Sequence, residues 1–323
     1  MHPAASSSPP RTTSAVATAS SLCRPHLHPD CLVGANPIIW SNDDFNELAG
    51  DVPLDTILTE MRAAGYAGSE LGHAYPRSAA ALADALARHD LRLVSGWHST
   101  FLASRDLATE TRTFRAHLNL LKTLGARIII AAECTHCLHG NRHAALTSGP
   151  TPPATLNESE WSRFTAGLQN FATIAAAGET KLVYHHHMGT VVQSETDLHR
   201  LLADVPSLYL LLDPGHLAFA GINPVAIAAR YASRIAHVHL KSVRPAVATR
   251  AHAEGWSFCR AVTEGVFTIP GDGCVDFPAI FQILAQADYR GWLVVEAEED
   301  PTQVPPLPKA ITARNYVRLH AGV

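Results

Sequence analysis

Apolar residues in this chain recur in two alternating patterns. Short, continuously apolar runs alternate with longer stretches in which apolar positions fall three and four apart. The runs are CLVGANPIIW (31–40), AGSELG (67–72), LRLVSGWH (91–98), ARIIIAAE (126–133), KLVYHHH (181–187), SLYLLLD (207–213), RIAHVHLK (234–241) and GWLVVEAE (291–298). Each reads as a strand covered on both faces. The intervening stretches read as amphipathic helices. In VPLDTILTEMRAAG (52–65), Leu54, Ile57, Leu58 and Met61 share one face and Gly65 supplies the stop. Further helices are expected at 78–90, 106–125, 159–178, 194–205, 223–233, 276–288 and 309–322.

Eight strand–helix units in strict alternation predict an α/β fold, a (β/α)8 TIM barrel with parallel strands. An open doubly wound sheet competes, but no Gly-rich dinucleotide loop follows the first strand. A single barrel domain is expected over 31–323. Residues 1–30 are rich in Ala, Ser, Thr and Pro and lack the apolar core of a signal peptide, so a disordered N-terminal extension is expected there. A long loop over 134–156, rich in His, Gly and Pro, is expected to be functional rather than a plain connector, and a second excursion runs over 242–275.

Composition narrows the partners. The chain carries 25 basic and 29 acidic residues with no basic run, which disfavours nucleic acid. No stretch approaches the ~20 apolar residues that span a membrane. A small, neutral or weakly charged substrate suits this balance, and homo-oligomerisation is left open. Of six cysteines, only Cys134 and Cys137 have C-x-x-C spacing, and no second pair completes a zinc site. Reduced thiols in the cytoplasm are the expectation. Nineteen histidines turn attention to metal chemistry.

Ligand-type residues gather where the strands end. Glu133, His185, Asp213, His239 and Glu296 all stand at or near the C-terminal end of an apolar run, where a barrel carries its catalytic groups. Buried carboxylates converging there need a cation. A mixed carboxylate–imidazole set suits manganese, cobalt, zinc or iron better than calcium. Strand alternation puts His185 and His187 on one face and His186 on the other, and likewise pairs His237 with His239. His216 lies three residues after Asp213 and could reach the same site. Glu296 ends the apolar residues of the last run, and Glu298 and Glu299 beyond it are expected to be solvated. There is no G-x-S-x-G elbow and no P-loop.

Several stretches together resemble the myo-inosose-2 dehydratases, a family of the xylose-isomerase-like barrel superfamily. They are WSNDD (40–44), SELGHAYP (69–76), YHHHMGTVVQ (184–193), LLLDPGHLAFAG (210–221), AHVHLKSVR (236–244), EGVFTIPGDGCVDF (264–277) and WLVVEAEEDP (292–301). The resemblance runs from about residue 31 to the end. It implies a hydro-lyase of inositol catabolism that dehydrates 2-keto-myo-inositol (scyllo-inosose) to 3D-(3,5/4)-trihydroxycyclohexane-1,2-dione. It implies manganese or cobalt as cofactor, and glutathione, for which no residue here marks a site. The implied metal ligands are His185, Asp213, His239 and Glu296. His185 stands where relatives carry a glutamate, with Glu133 as the alternative fourth ligand. Candidate base and acid are Glu133, His187, His216 and Lys241. Trp40 and Asn42 would wall and hydrogen-bond the polyol. Ser242 replaces the aspartate of the related HLKD pattern, so Lys241 is expected to lack that neighbour. A metal-dependent ketose epimerase or isomerase is the rival reading. A non-catalytic sugar-binding barrel is the third.

Overall fold

The computed structural model describes residues 1, 26–42, 45, 48, 52–146 and 154–323. Apart from Met1, the expected extension up to residue 25 lies outside the described residues. Strand β1 (Leu32–Ala35) leads through a 3-10 turn (Pro37–Ile39) to helix α1 (Leu54–Ala63). Then come β2 (Gly68–Leu71) with α2 (Ala79–Arg88), β3 (Arg92–Thr100) with α3 (Leu107–Thr123), and β4 (Ile128–Glu133) with α4 (Glu158–Ala177). Next are β5 (Lys181–His185) with α5 (Glu195–Asp204), and β6 (Tyr209–Leu212) with two helices, α6 (Pro214–Phe219) and α7 (Pro224–Tyr231). β7 (Ile235–Leu240) is followed by an insertion of β8 (Ser242–Val243), α8 (Pro245–Ala253), α9 (Phe258–Thr263) and β9 (Phe267–Thr268). The chain closes with α10 (Phe277–Gln286), β10 (Trp292–Val295) and α11 (Pro306–Ala321).

The eight long-range strands close a barrel in the order β1-β10-β7-β6-β5-β4-β3-β2. Every barrel pair is parallel. This is the (β/α)8 barrel that the apolar pattern predicts. The second long excursion is folded rather than irregular. Its ribbon pairs β8 with β9 antiparallel, and Phe258, Phe267, Trp256 and Val262 give it a small core of their own with Phe219 and Met188.

The barrel interior has an apolar floor and a polar top. Ile128, Ile130, Val183, Leu211 and Ala236 fill the lower layer. Trp292 reaches in beside them because β1 and β2 carry glycine there. A Cβ on Gly68 would lie 2.8 Å from the Trp292 ring and 2.7 Å from Arg92 O. Between barrel and helices the core includes Ile57, Leu58 and Met61 of α1, the face predicted from spacing. Packing begins upstream of Cys31, since Leu27 is 4% exposed and its N–H donates to Ala321 O at 3.0 Å.

One irregularity positions the site. Between Ser69 and Leu71 of β2, strand β3 carries one residue more than its partner. Such a bulge re-aims side chains locally, and the residue at this point is Glu70.

Candidate active site

Side chains alternate along each strand, so the residues above the floor are set by parity. On β5, Val183 belongs to the floor and His185 rises above it. On β7 and just beyond, His237, His239 and Lys241 share the inward face. After β10, Glu296 and Glu298 do the same. Asp213 ends β6 and caps α6, its Oδ1 accepting from Gly215 N (2.9 Å) and His216 N (3.0 Å). That leaves Oδ2 for the barrel mouth. It lies 3.3 Å from His185 Nε2 and 3.4 Å from His239 Nδ1. Glu296 Oε2 lies 2.8 Å from His239 Nδ1. His185, Asp213, His239 and Glu296, named from sequence, therefore stand together, all buried.

Lys241 neutralises this set from behind. Its Nζ is 2.5 Å from Glu296 Oε1, 2.7 Å from Glu298 Oε2 and 3.7 Å from Asp213 Oδ2. Burial alone would lower the Lys241 pKa, but Glu296, Glu298 and Asp213 reverse this and hold it above its ordinary value, as an ammonium. Burial pushes the Glu296 carboxyl up, and His239 and Lys241 outweigh that and hold it at about 2. Glu296 thus gives Oε1 to the ammonium and Oε2 to the imidazole side.

His187 lines the same cavity in a different state. Burial first, then the neighbouring His139 and His185, hold it well below the usual histidine range, so the ring is neutral. Its Nδ1 donates to Met188 O at 2.8 Å. This hydrogen bond fixes the tautomer and leaves Nε2 as the basic nitrogen. His216, fully buried, takes a hydrogen bond from Lys241 Nζ at its Nε2 (2.9 Å). It does not line the cavity. His186, just past the end of β5, is buried and is not among the described residues lining the cavity.

The cavity is about 300 Å³, the lower end of the range for small-ligand sites. Asn36, Glu70, Trp97, His139, His187 and Glu298 are among its walls. Four of these, Asn36, Glu70, Trp97 and His139, were not singled out by sequence reading, and the first two support the cluster. Glu70 accepts from Asn36 Nδ2 (2.8 Å) and Ser95 Oγ, and its Oε1 lies 2.7 Å from His237 Nε2 and 3.3 Å from His239 Nε2. Burial would raise its pKa, but His239 and His237 hold it well below the carboxylate range. Asn36 also donates to Glu296 Oε2 at 2.9 Å. A polar Glu inside the short apolar run AGSELG was the available signal.

Other expectations meet a different geometry. Glu298 and Glu299 are not solvated: they are 1% and 6% exposed, with Lys241 on the first and Arg244 and Lys309 on the second. Lys241, lacking an aspartate at 242, finds its partners on the β10 side instead. Glu133 does not reach the cluster. Inward parity on β4 runs Ile128, Ile130, Ala132, so Glu133 faces the helices. There it accepts from Thr100 Oγ1 (2.8 Å), Leu102 N (2.9 Å) and Thr135 N (3.2 Å). Burial raises its pKa despite those bonds. Trp40 is buried, and its Nε1 donates to Glu60 Oε2 (2.7 Å) on α1. Asn42 Oδ1 accepts from Phe45 N (2.8 Å) and shapes the loop. Neither is among the described residues lining the cavity.

The donor set fits a divalent cation. Ligand atoms around a metal at ~2.1 Å stand about 3.0–3.4 Å apart; three gaps in this set are 2.8 to 3.4 Å, and His185, Asp213 and Glu296, with His216, offer donor atoms within 4.8 Å of one another. His239 Nδ1 is 2.8 Å from Glu296 Oε2 but not aligned for a hydrogen bond, and it has no hydrogen-bond partner among the described residues. Burial would lower the His239 pKa, but Glu296, Glu70 and Asp213 outweigh it and hold the ring well above the usual histidine range, and a cation between Nδ1 and these oxygens would take the place of that proton. Among the described residues, no helix is long and apolar enough to cross a membrane.

Comparison with known proteins adds the following. The family model described as xylose isomerase-like TIM barrel matches residues 58–318. An inosose dehydratase of Clostridium botulinum (strain Eklund 17B / Type B) is 39% identical over 293 residues, covering 90% of this chain and 97% of that protein. The rhizopine catabolism protein MocC of Rhizobium meliloti is 45% identical over 292 residues, covering 90% of this chain and 89% of that protein. The crystal structure of a D-allulose 3-epimerase from Methylomonas sp. aligns with a TM-score of 0.64 at 17% identity, covering 92% of this chain and 99% of that chain. At that identity the likeness concerns the fold alone.

Proposed function

The chain belongs to the inosose dehydratase family within the xylose isomerase-like TIM barrels, and on that premise we propose that it removes water from 2-keto-myo-inositol in inositol catabolism. The reading is carried by one observation in the cavity. A neutral imidazole, His187, and a buried carboxylate–imidazole set backed by the Lys241 ammonium face the same small space. Proton abstraction beside a ketone needs such a base next to a centre that stabilises negative charge.

A divalent cation, manganese or cobalt, would be held by His185, Asp213, His239 and Glu296, and it supplies a Lewis acid for the ketone oxygen. The chain's own residues do the rest. Asn36 and Glu70 orient Glu296 and His239. His187 Nε2 takes the proton from the carbon next to the carbonyl. The hydroxyl on the following carbon leaves as water, with its proton drawn from the Lys241–Glu298 pair. The first carbon also carries a hydroxyl, so the new double bond is an enol, which tautomerises to the 1,2-dione. Trp97, 5.5 Å and 5.8 Å from the His185 and His187 rings, gives the cyclitol an apolar wall. The thiols of Cys31, Cys134, Cys137 and Cys274, in no disulfide among the described residues, suit a reducing compartment, the cytoplasm. Glutathione is implied by family resemblance alone.

The test is an assay with 2-keto-myo-inositol on metal-stripped protein, with manganese, cobalt, zinc and magnesium returned separately. Dehydration lowers the product mass by ~18 Da, one water. An epimerase or isomerase leaves the mass unchanged, and a binding protein leaves the substrate intact. Asp213→Asn and Glu296→Gln should each abolish metal-dependent turnover. Activity that survives chelation and both changes would end this reading.

A further inference from the structure

Beside the barrel-mouth cluster, the loop leaving β4 gathers three soft ligands of its own. Cys134, Cys137 and His139 each offer a donor atom, and the three atoms lie within 4.8 Å of one another. The backbone brings them together. Cys134 N donates to Thr100 O (2.7 Å), Cys137 N turns back to Cys134 O (3.2 Å), and His136 between them takes a left-handed φ of 60°. Leu138 N donates to Gly189 O (2.7 Å), which ties this loop to the one after β5. Gly189 permits the approach: it has a φ of 77°, and a Cβ there would stand 2.8 Å from His139 N. Cys137 is hydrogen-bonded to Cys134 and to His139, which draws its thiol down, while the bond between the two sulfurs and burial push Cys134 up. The sulfurs have no role in the dehydration chemistry above.

We propose that Cys134, Cys137 and His139 form a second metal site, for a zinc-class divalent cation, with the fourth position open to water. Two thiolates and an imidazole select this class over manganese or magnesium. The two thiolates cancel the charge of the dication, so the neutral assembly can sit against the buried Cys134 at little desolvation cost. Binding strips the remaining proton from the cysteine pair and releases it to solvent, so affinity falls as pH falls. Ligand atoms of a tetrahedral site stand about 3.5 Å apart, a closure within reach of a rotamer change at the half-exposed Cys137. Occupancy would fix His139, whose ring is 5.2 Å from that of His187 and which lines the substrate cavity. The site therefore sets one wall of the active site without touching the reacting atoms.

Cobalt added to chelator-stripped, full-length protein is the probe. The barrel-mouth ligands contain no sulfur, so thiolate-to-cobalt charge-transfer absorption reports only on a cysteine site. The expected result is that band, and one more equivalent of bound cobalt than in the Cys134→Ser/Cys137→Ser protein, which loses the band. His139→Gln should keep both thiols and weaken cobalt binding at least ~10-fold, as loss of a ligand does. If the double variant fails to fold by circular dichroism, Cys137→Ser alone should show the same loss of band and equivalent. Absence of the band in the native protein overturns the proposal, as does its persistence in the variants. So does a reductant-sensitive deficit of two thiols, which would make the pair a disulfide.

Discussion

Lys241 Nζ lies 2.7 Å from Glu298 Oε2, and both side chains are buried. The same ammonium touches Glu296 and approaches Asp213. One cation thus offsets three buried carboxylates. Lys241→Met should leave them uncompensated and destabilise the fold by about 3–5 kcal/mol. Adding Glu298→Gln should recover part of that loss, so the double change costs less than the sum of the singles. Urea unfolding of the four proteins checks both statements, and strict additivity would show that the pair does not interact.

Glu70 organises the opposite side of His239. It holds Nε2 while Nδ1 faces Asp213 and Glu296. Glu70→Gln should preserve the volume but weaken the hold on the imidazole. Metal affinity should fall ~10–100-fold, the usual effect of removing a partner that orients a ligand. Metal titration by calorimetry reads this directly.

Acid sensitivity should have a component on the helix-facing side of β3, away from the cavity wall. Burial and the neighbouring His117 hold His98 at about 4, among Phe114 and Phe171. Unfolded histidine titrates at ~6.5. Between these values the unfolded chain binds a proton that the folded chain refuses, so stability falls as pH drops through this window and is flat above it. At 1.36 kcal/mol per pKa unit the loss reaches about 3 kcal/mol. His98→Phe should flatten that part of the curve, as measured by denaturant unfolding at several pH values.

The N-terminal boundary can be tested at one residue. Leu27 is buried in the main core. Leu27→Ala should cost about 2–5 kcal/mol, the range for a buried leucine, read as a shift in the unfolding midpoint. Deleting residues 2–25 should leave turnover unchanged, and a large loss would show that the segment contributes to the enzyme.

Parity along a strand is a local property, and it was readable wherever a strand ran into its ligand. His185 and His187 share a face because they lie two apart. His239 and Lys241 do so for the same reason. The same count, started at Ile128 and Ile130, turns Glu133 away from the barrel, so that misplacement could have been avoided from sequence. Trp40 could not be placed in this way, because it follows a 3-10 turn and its direction depends on Glu60 of α1.

The amino-acid sequence by itself determined the eightfold strand–helix alternation and the strand-end positions of His185, Asp213, His239 and Glu296. Those follow from periods of 2 and 3.6 residues, which any short segment carries within itself. Only the tertiary structure decided that Glu70 of β2 meets His237 and His239 of β7, 167 and 169 positions away, and that Glu298 is enclosed by Lys241. Those contacts depend on barrel closure, on the extra residue of β3 beside Glu70 and on the path of the chain beyond β10, and no local period encodes them.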